Sequence, residues 1–84
     1  MNPIKYMTKA IKQLSKLPQK DSRRIVLACK ELASMPDCKN VKALINHQYG
    51  YRLRIGGYRV FFDFDGSVRI IYIEKVKKRD ESTY

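Results

Sequence analysis

The sequence predicts an α+β domain: a short N-terminal strand, an antiparallel two-helix hairpin, and a three-stranded antiparallel meander with the helices on one face. Three observations predict it. Apolar residues recur at spacings of three and four in the first part of the chain. From about Tyr51 the apolar period becomes two. Gly56-Gly57 and Asp65-Gly66 then interrupt the alternation as hairpin turns.

Ile4-Lys5-Tyr6 reads as the first strand, with Thr8 as N-cap of the helix after it. Met7, Ala10, Ile11, Leu14 and Leu17 form that helix's apolar face. Pro18 interrupts the pattern and suits the opening of a second helix. Ile25, Ala28, Cys29 and Leu32 make the second stripe, and Pro36 ends it. Both stripes read as core. Tyr51 to Ile55 is the first meander strand, Tyr58 to Phe64 the second, and Ser67 to about Val76 the third.

Eighty-four residues hold one modest core, so residues 1–84 are read as one domain. Eighteen Lys and Arg stand against eight Asp and Glu, a formal net charge of +10. Such an excess repels itself, and a polyanionic partner is the simplest compensation. Two cysteines and one histidine match no metal-ligand spacing, so neither a metal nor a cofactor is expected. No apolar run reaches transmembrane length and the N-terminus lacks a signal-peptide core, so no membrane association and a cytoplasmic location are expected.

Two-residue turns would set the register. Arg54 then pairs with Arg59 and Arg52 with Phe61, while Phe61 faces Ile70 and Arg59 faces Tyr72. Leu53, Ile55, Tyr58, Val60, Phe62, Phe64, Ile71 and Ile73 share the core face, with Arg69 an exception near its edge. Arg52, Arg54, Arg59, Phe61 and Tyr72 share the opposite one. Like charges across a strand pair cost a few tenths to about 1 kcal/mol, so Arg54 opposite Arg59 is the informative anomaly. Guanidinium forks bind phosphate and aromatic faces hold unpaired bases, which points to RNA. Lys75, Lys77, Lys78 and Arg79 extend the positive charge beyond the last strand. His47 falls in the loop before the first meander strand, where a lone histidine is more often inert.

Several blocks together resemble the RelE/ParE superfamily of bacterial type II toxins: Leu14-Ser15-Lys16-Leu17-Pro18, Leu32-Ala33-Ser34-Met35-Pro36, Val41-Lys42-Ala43-Leu44, Tyr51-Arg52-Leu53-Arg54-Ile55-Gly56-Gly57-Tyr58-Arg59-Val60, and Lys78-Arg79 with Tyr84. The resemblance implies the RelE-like fold and one of two activities. RelE-like members cleave mRNA in the ribosomal A site; ParE-like members inhibit DNA gyrase and cut no RNA. The Lys78-Arg79…Tyr84 segment favours the first. On that resemblance Arg59 would stabilise the scissile phosphate, Arg79 would stand near the leaving 5′-oxygen, and Tyr84 would stack on the RNA. Arg54 would assist catalysis, and Arg52, Phe61, Tyr72, Lys77 and Lys78 would bind RNA. Arg52 and Arg54 stand where some RelE proteins carry lysine. Arginine stays protonated, so neither suits a general base. The implied reaction is metal-independent attack by the 2′-hydroxyl, and the implied partners are the ribosome, mRNA and a cognate antitoxin.

Overall fold

The computed structural model describes residues 2–78. Strand β1 (Ile4–Tyr6) leads into helix α1 (Thr8–Ser15) and helix α2 (Gln19–Cys29), which continues as a 3₁₀ segment over Lys30–Ser34. Strands β2 (Val41–Ala43), β3 (Tyr51–Ile55), β4 (Tyr58–Asp65) and β5 (Ile70–Lys78) follow. The class is the predicted α+β, but the sheet has five strands, in the order β1-β5-β4-β3-β2. Strand β1 runs parallel to β5, and β2 is an antiparallel edge strand on β3. Strand β1 is the Ile4-Lys5-Tyr6 strand expected from the sequence; β2, at three residues, is too short to show a period and was not expected.

Alpha-helix α1 has eight residues and would not persist alone in water. It is held by burying Ala10, with Leu14 and Leu17 packed around it. Met7, not Thr8, is its N-cap, and its side chain makes no capping bond. Ile11 does not join the core: it is 53% exposed. Pro18 is the N-cap of α2, where its carbonyl accepts the amides of Asp21 and Ser22. From α2 and the 3₁₀ segment, Ile25, Cys29 and Leu32 meet Val60, Phe62, Ile71 and Ile73 of the sheet. The buried Asn2 clamps the N-terminus to this layer, donating to the carbonyls of Ala33 (3.2 Å) and Met35 (3.0 Å). Burial pushes the Cys29 thiol up to about 11, and raises the neighbouring Tyr6 hydroxyl as well.

The first hairpin has the expected register, with Arg54 opposite Arg59 and Ile55 opposite Tyr58. Gly56 takes a φ of +52°, and a Cβ there would come within 2.5 Å of the Arg24 guanidinium from α2. The second hairpin differs from the sequence reading. Asp65 is the last residue of β4, pairs with Ile70, and closes a four-residue loop of Gly66, Ser67, Val68 and Arg69. Its Oδ1 accepts from the Ser67 amide (2.9 Å) and the Ser67 hydroxyl (2.6 Å), and Arg69 takes a left-handed φ of 57°. These bonds hold the Asp65 carboxyl below its usual range. The wider loop starts β5 at Ile70, not Ser67, and changes every pairing between β4 and β5. Phe61 faces Lys75, not Ile70, and Arg59 faces Lys77, not Tyr72.

Beta-strand β5 also carries one residue more than its partner. Phe62 pairs with Ile73 while Phe61 pairs with Lys75, so Glu74 is a bulge residue. Without it, strict alternation would place Val76 on the face away from the helices. With it, Val76 stays buried and Lys75 and Lys77 turn to the arginine side.

Two outcomes follow from this packing. A thiol reagent added to native protein should label Cys38, which is partly exposed, and reach Cys29 only after denaturation; rapid modification of both would contradict the burial. Gly56→Ala should lower stability by about 1–2 kcal/mol in urea unfolding, through backbone strain and the Arg24 contact.

Candidate nucleic-acid interface

The core takes Leu53, Ile55, Tyr58, Val60 and Phe62, which leaves Arg52, Arg54, Arg59 and Phe61 on the other face of β3 and β4. Cross-strand partners share a face, so the registers define rows. One row runs Arg54, Arg59, Lys77 across three strands. The next, two residues along, runs Lys42, Arg52, Phe61, Lys75 across four. Strands lie about 4.8 Å apart and the rows about 7 Å, so the six cations crowd a patch of one or two nucleotides' size. Arg52 holds its Nε buried with no hydrogen-bond partner.

The second row is partly roofed. Phe61 points away from the core yet is only 8% exposed. The His47 ring lies nearly parallel over it, with centroids 5.2 Å apart and planes at 13°, and Tyr49 leans against both rings at 5.9 and 6.0 Å. The loop that brings them is tied down. The Gly50 amide donates to Asp63 Oδ1 (2.7 Å), and the Leu44 amide donates to the Gly50 carbonyl (2.9 Å). The Tyr49 amide donates to His47 Nδ1 (3.0 Å). In the neutral ring the proton therefore sits on Nε2. His47 can donate from Nε2, but it has no free lone pair to act as a base.

Glu74, on the bulge, meets the same Asp63. Its carboxyl is raised by burial, then by the hydrogen bond to Asp63 and by that group's charge. The two carboxyl groups bound the cationic patch on one side.

Arg52, Arg54, Arg59 and Lys77 come together on the patch. Phe61 joins them as the floor under His47. Tyr72 shares the face but pairs with Lys5 and Asp63, five residues along β5 from Lys77 and so about 16 Å away. Lys78 pairs with Tyr58 and lies on the helix side, lining a groove with Gln13, Lys16 and Leu17. Arg79 and Tyr84 lie outside the described residues. Lys42, Lys75 and Tyr49 were not singled out as site residues in the sequence. The signal for Lys75 was there: the core positions Ile71, Ile73 and Val76 break the period of two by one residue. Among the described residues no group of three or more His, Cys, Asp and Glu could hold a metal ion. No described helix is long and apolar enough to cross a membrane.

The two-helix layer on a mixed five-stranded sheet matches solved structures of RelE toxins. The chain belongs to the family described as the ParE toxin of the type II toxin–antitoxin system parDE, whose model matches residues 4–83. Among solved structures it is similar to RelE in the archaeal RelE–RelB complex of Pyrococcus horikoshii, at 27% identity and a TM-score of 0.80, covering 96% of this chain and 98% of that one. The RelBE2 toxin–antitoxin complex of Mycobacterium tuberculosis matches at 22% identity and 0.78, covering 93% and 98%. The isolated RelE toxin of E. coli matches at 16% and 0.76, covering 93% and 84%. No curated protein matches the sequence. The chain is thus a toxin of a toxin–antitoxin system, in the RelE/ParE fold.

The carboxyl pair has a measurable signature. A carboxyl whose pKa is raised on folding favours the folded state fully below its unfolded value, and that contribution fades as pH rises through the folded value. Glu74→Gln mimics the protonated form. It should raise Tm by roughly 2 °C at pH 7 and lose that advantage near pH 4, as followed by circular dichroism.

Proposed function

We propose that this toxin is a ribosome-dependent endoribonuclease that cleaves mRNA. The observation that carries the reading is the row Arg54–Arg59–Lys77, set beside Lys42, Arg52 and Lys75. Cross-strand repulsion makes that arrangement costly for folding alone, and a bound phosphodiester relieves it. The likeness to RelE of Pyrococcus horikoshii, over nearly the full length of both chains, supports the same reading.

The RNA brings its own nucleophile. Its 2′-oxygen attacks the adjacent phosphorus while its proton passes to water, and Lys77, which the register sets beside Arg59, brings an ammonium donor to the phosphate. The pentacoordinate phosphorane gathers negative charge, which Arg59 and Arg54 neutralise through preorganised N–H donors. The P–O5′ bond then breaks, giving a 2′,3′-cyclic phosphate and a 5′-hydroxyl once the leaving oxygen gains a proton. Arg79 is the residue proposed near that oxygen, and Tyr84 the one proposed to stack on the RNA. The ribosome supplies substrate alignment that a flat sheet face does not provide by itself.

A cognate antitoxin is the proposed regulatory partner. It would cover the cationic face with an acidic segment, or seat an amphipathic helix on the toxin's helices or at its C-terminal end. On α2, Leu27 is 62% exposed beside Val26 and Arg23.

A second reading rests on the matching family, whose description names ParE. In it the protein inhibits DNA gyrase through a protein interface, and the arginines serve binding only.

Translation-coupled mRNA cleavage by wild type and Arg59→Ala separates the two. The nuclease reading expects Arg59→Ala to lose about 10²-fold or more in rate, with gyrase supercoiling untouched by either protein. Equal cleavage by both proteins would remove Arg59 from the chemistry, and loss of supercoiling with intact mRNA would establish the gyrase reading instead.

A further inference from the structure

We propose that the outer face of His47 is a stacking subsite for one unpaired base of the bound RNA. This deepens the nuclease reading and rests on it.

Phe61 lies on the cationic face, between Arg52 and Lys75. An aromatic residue at its position on the cationic face would ordinarily be the stacking surface, but His47 already occupies it. The imidazole lies nearly parallel to Phe61 and is flanked by Tyr49. His47 is itself exposed.

The ring is held for the purpose. Its Nδ1 takes the Tyr49 amide proton, and Gly50 anchors the loop to Asp63. A preorganised ring loses little freedom when a base lands on it. Nε2–H stays available to donate to an acceptor on the base or sugar.

Its position matches the chemistry. Phe61 lies in the row with Arg52 and Lys75, next to the row of Arg54, Arg59 and Lys77. A base on His47 therefore has its phosphates over one row or the other, about 7 Å apart. Aromatic platforms set among cations are the usual means of holding single-stranded RNA with little base preference. The net charge of +10 favours this polyanion over a neutral occupant. With both ring nitrogens accounted for, His47 is a positioning residue and not the base that activates the 2′-hydroxyl.

The probe is a single-stranded RNA decamer containing 2-aminopurine, whose fluorescence falls on stacking, titrated at low salt with wild type, His47→Ala and His47→Phe. The same proteins and Arg59→Ala are compared in translation-coupled cleavage. Wild type should quench the probe and His47→Ala should not. His47→Ala should raise the KM for cleavage at least about fivefold, the lower end of what one stacked base contributes, with the saturated rate within about twofold. His47→Phe should restore both quenching and KM, which separates stacking from loss of the loop's fold. Wild-type quenching by His47→Ala would overturn the subsite, as would a His47→Phe protein as defective as His47→Ala. An acidic peptide that depends on His47 while the RNA probe does not would assign the surface to a protein partner. If wild type leaves mRNA intact, the nuclease reading fails, and quenching alone then decides the subsite.

Discussion

Between Ile73 and Lys75, strand β5 carries one residue with no counterpart on β4. That bulge divides the strand into two segments of opposite phase. Toward Ile70 it turns Ile71 and Ile73 to the helices; toward Lys78 it turns Val76 to them. Lys75 and Lys77 must then face the arginines. A strand without the bulge would have exposed Val76 and put the two lysines over the core, where unpaired ammonium groups are costly. The core's demand for Val76 and the face's supply of cations are one geometric fact.

The resulting patch works against folding. Arg54, Arg59 and Lys77 are near neighbours of like charge, and aliphatic burial beneath them offsets their repulsion. Val60, Phe62, Ile71 and Ile73 are fully buried directly behind that face and belong to the same two strands. A short α1 and two three-residue edges depend on this central pair, since none of them could be stable alone. The carboxyl groups of Asp63 and Glu74 stand at the margin of the patch, where Asp63 fastens the loop that carries His47 and Tyr49.

The family and the structural likenesses carry two names within one superfamily. The fold does not choose between the corresponding activities, because function lies in side chains placed on a scaffold that both share. In this chain those side chains are crowded guanidinium and ammonium groups beside a stacked aromatic ring. A protein interface has less use for stacked like charges than a phosphodiester does.

Much was legible in sequence because its causes are local. Helical spacing, the change to period two, and the demand of a tight turn for glycine at Gly56 are properties of neighbouring residues, and they determined the α+β class and the pairing of Arg54 with Arg59. The second hairpin was not legible. Whether Asp65 sits inside a turn or closes the strand depends on bonds its carboxylate makes to Ser67, and Asp65-Gly66 serves equally as a whole two-residue loop or as the strand end and first residue of a four-residue one. The phase of β5 followed from packing, since Glu74 bulges only because Val76 is needed against the core. The roof over Phe61 was hidden for the same reason: its position on the strand says which face it occupies, but the loop from Asn46 to Gly50 decides what covers it. The sequence alone thus determined that a cationic sheet face exists. Tertiary structure decided which cations share it, placing Lys77 and not Tyr72 beside Arg59, and which aromatic ring remains uncovered there.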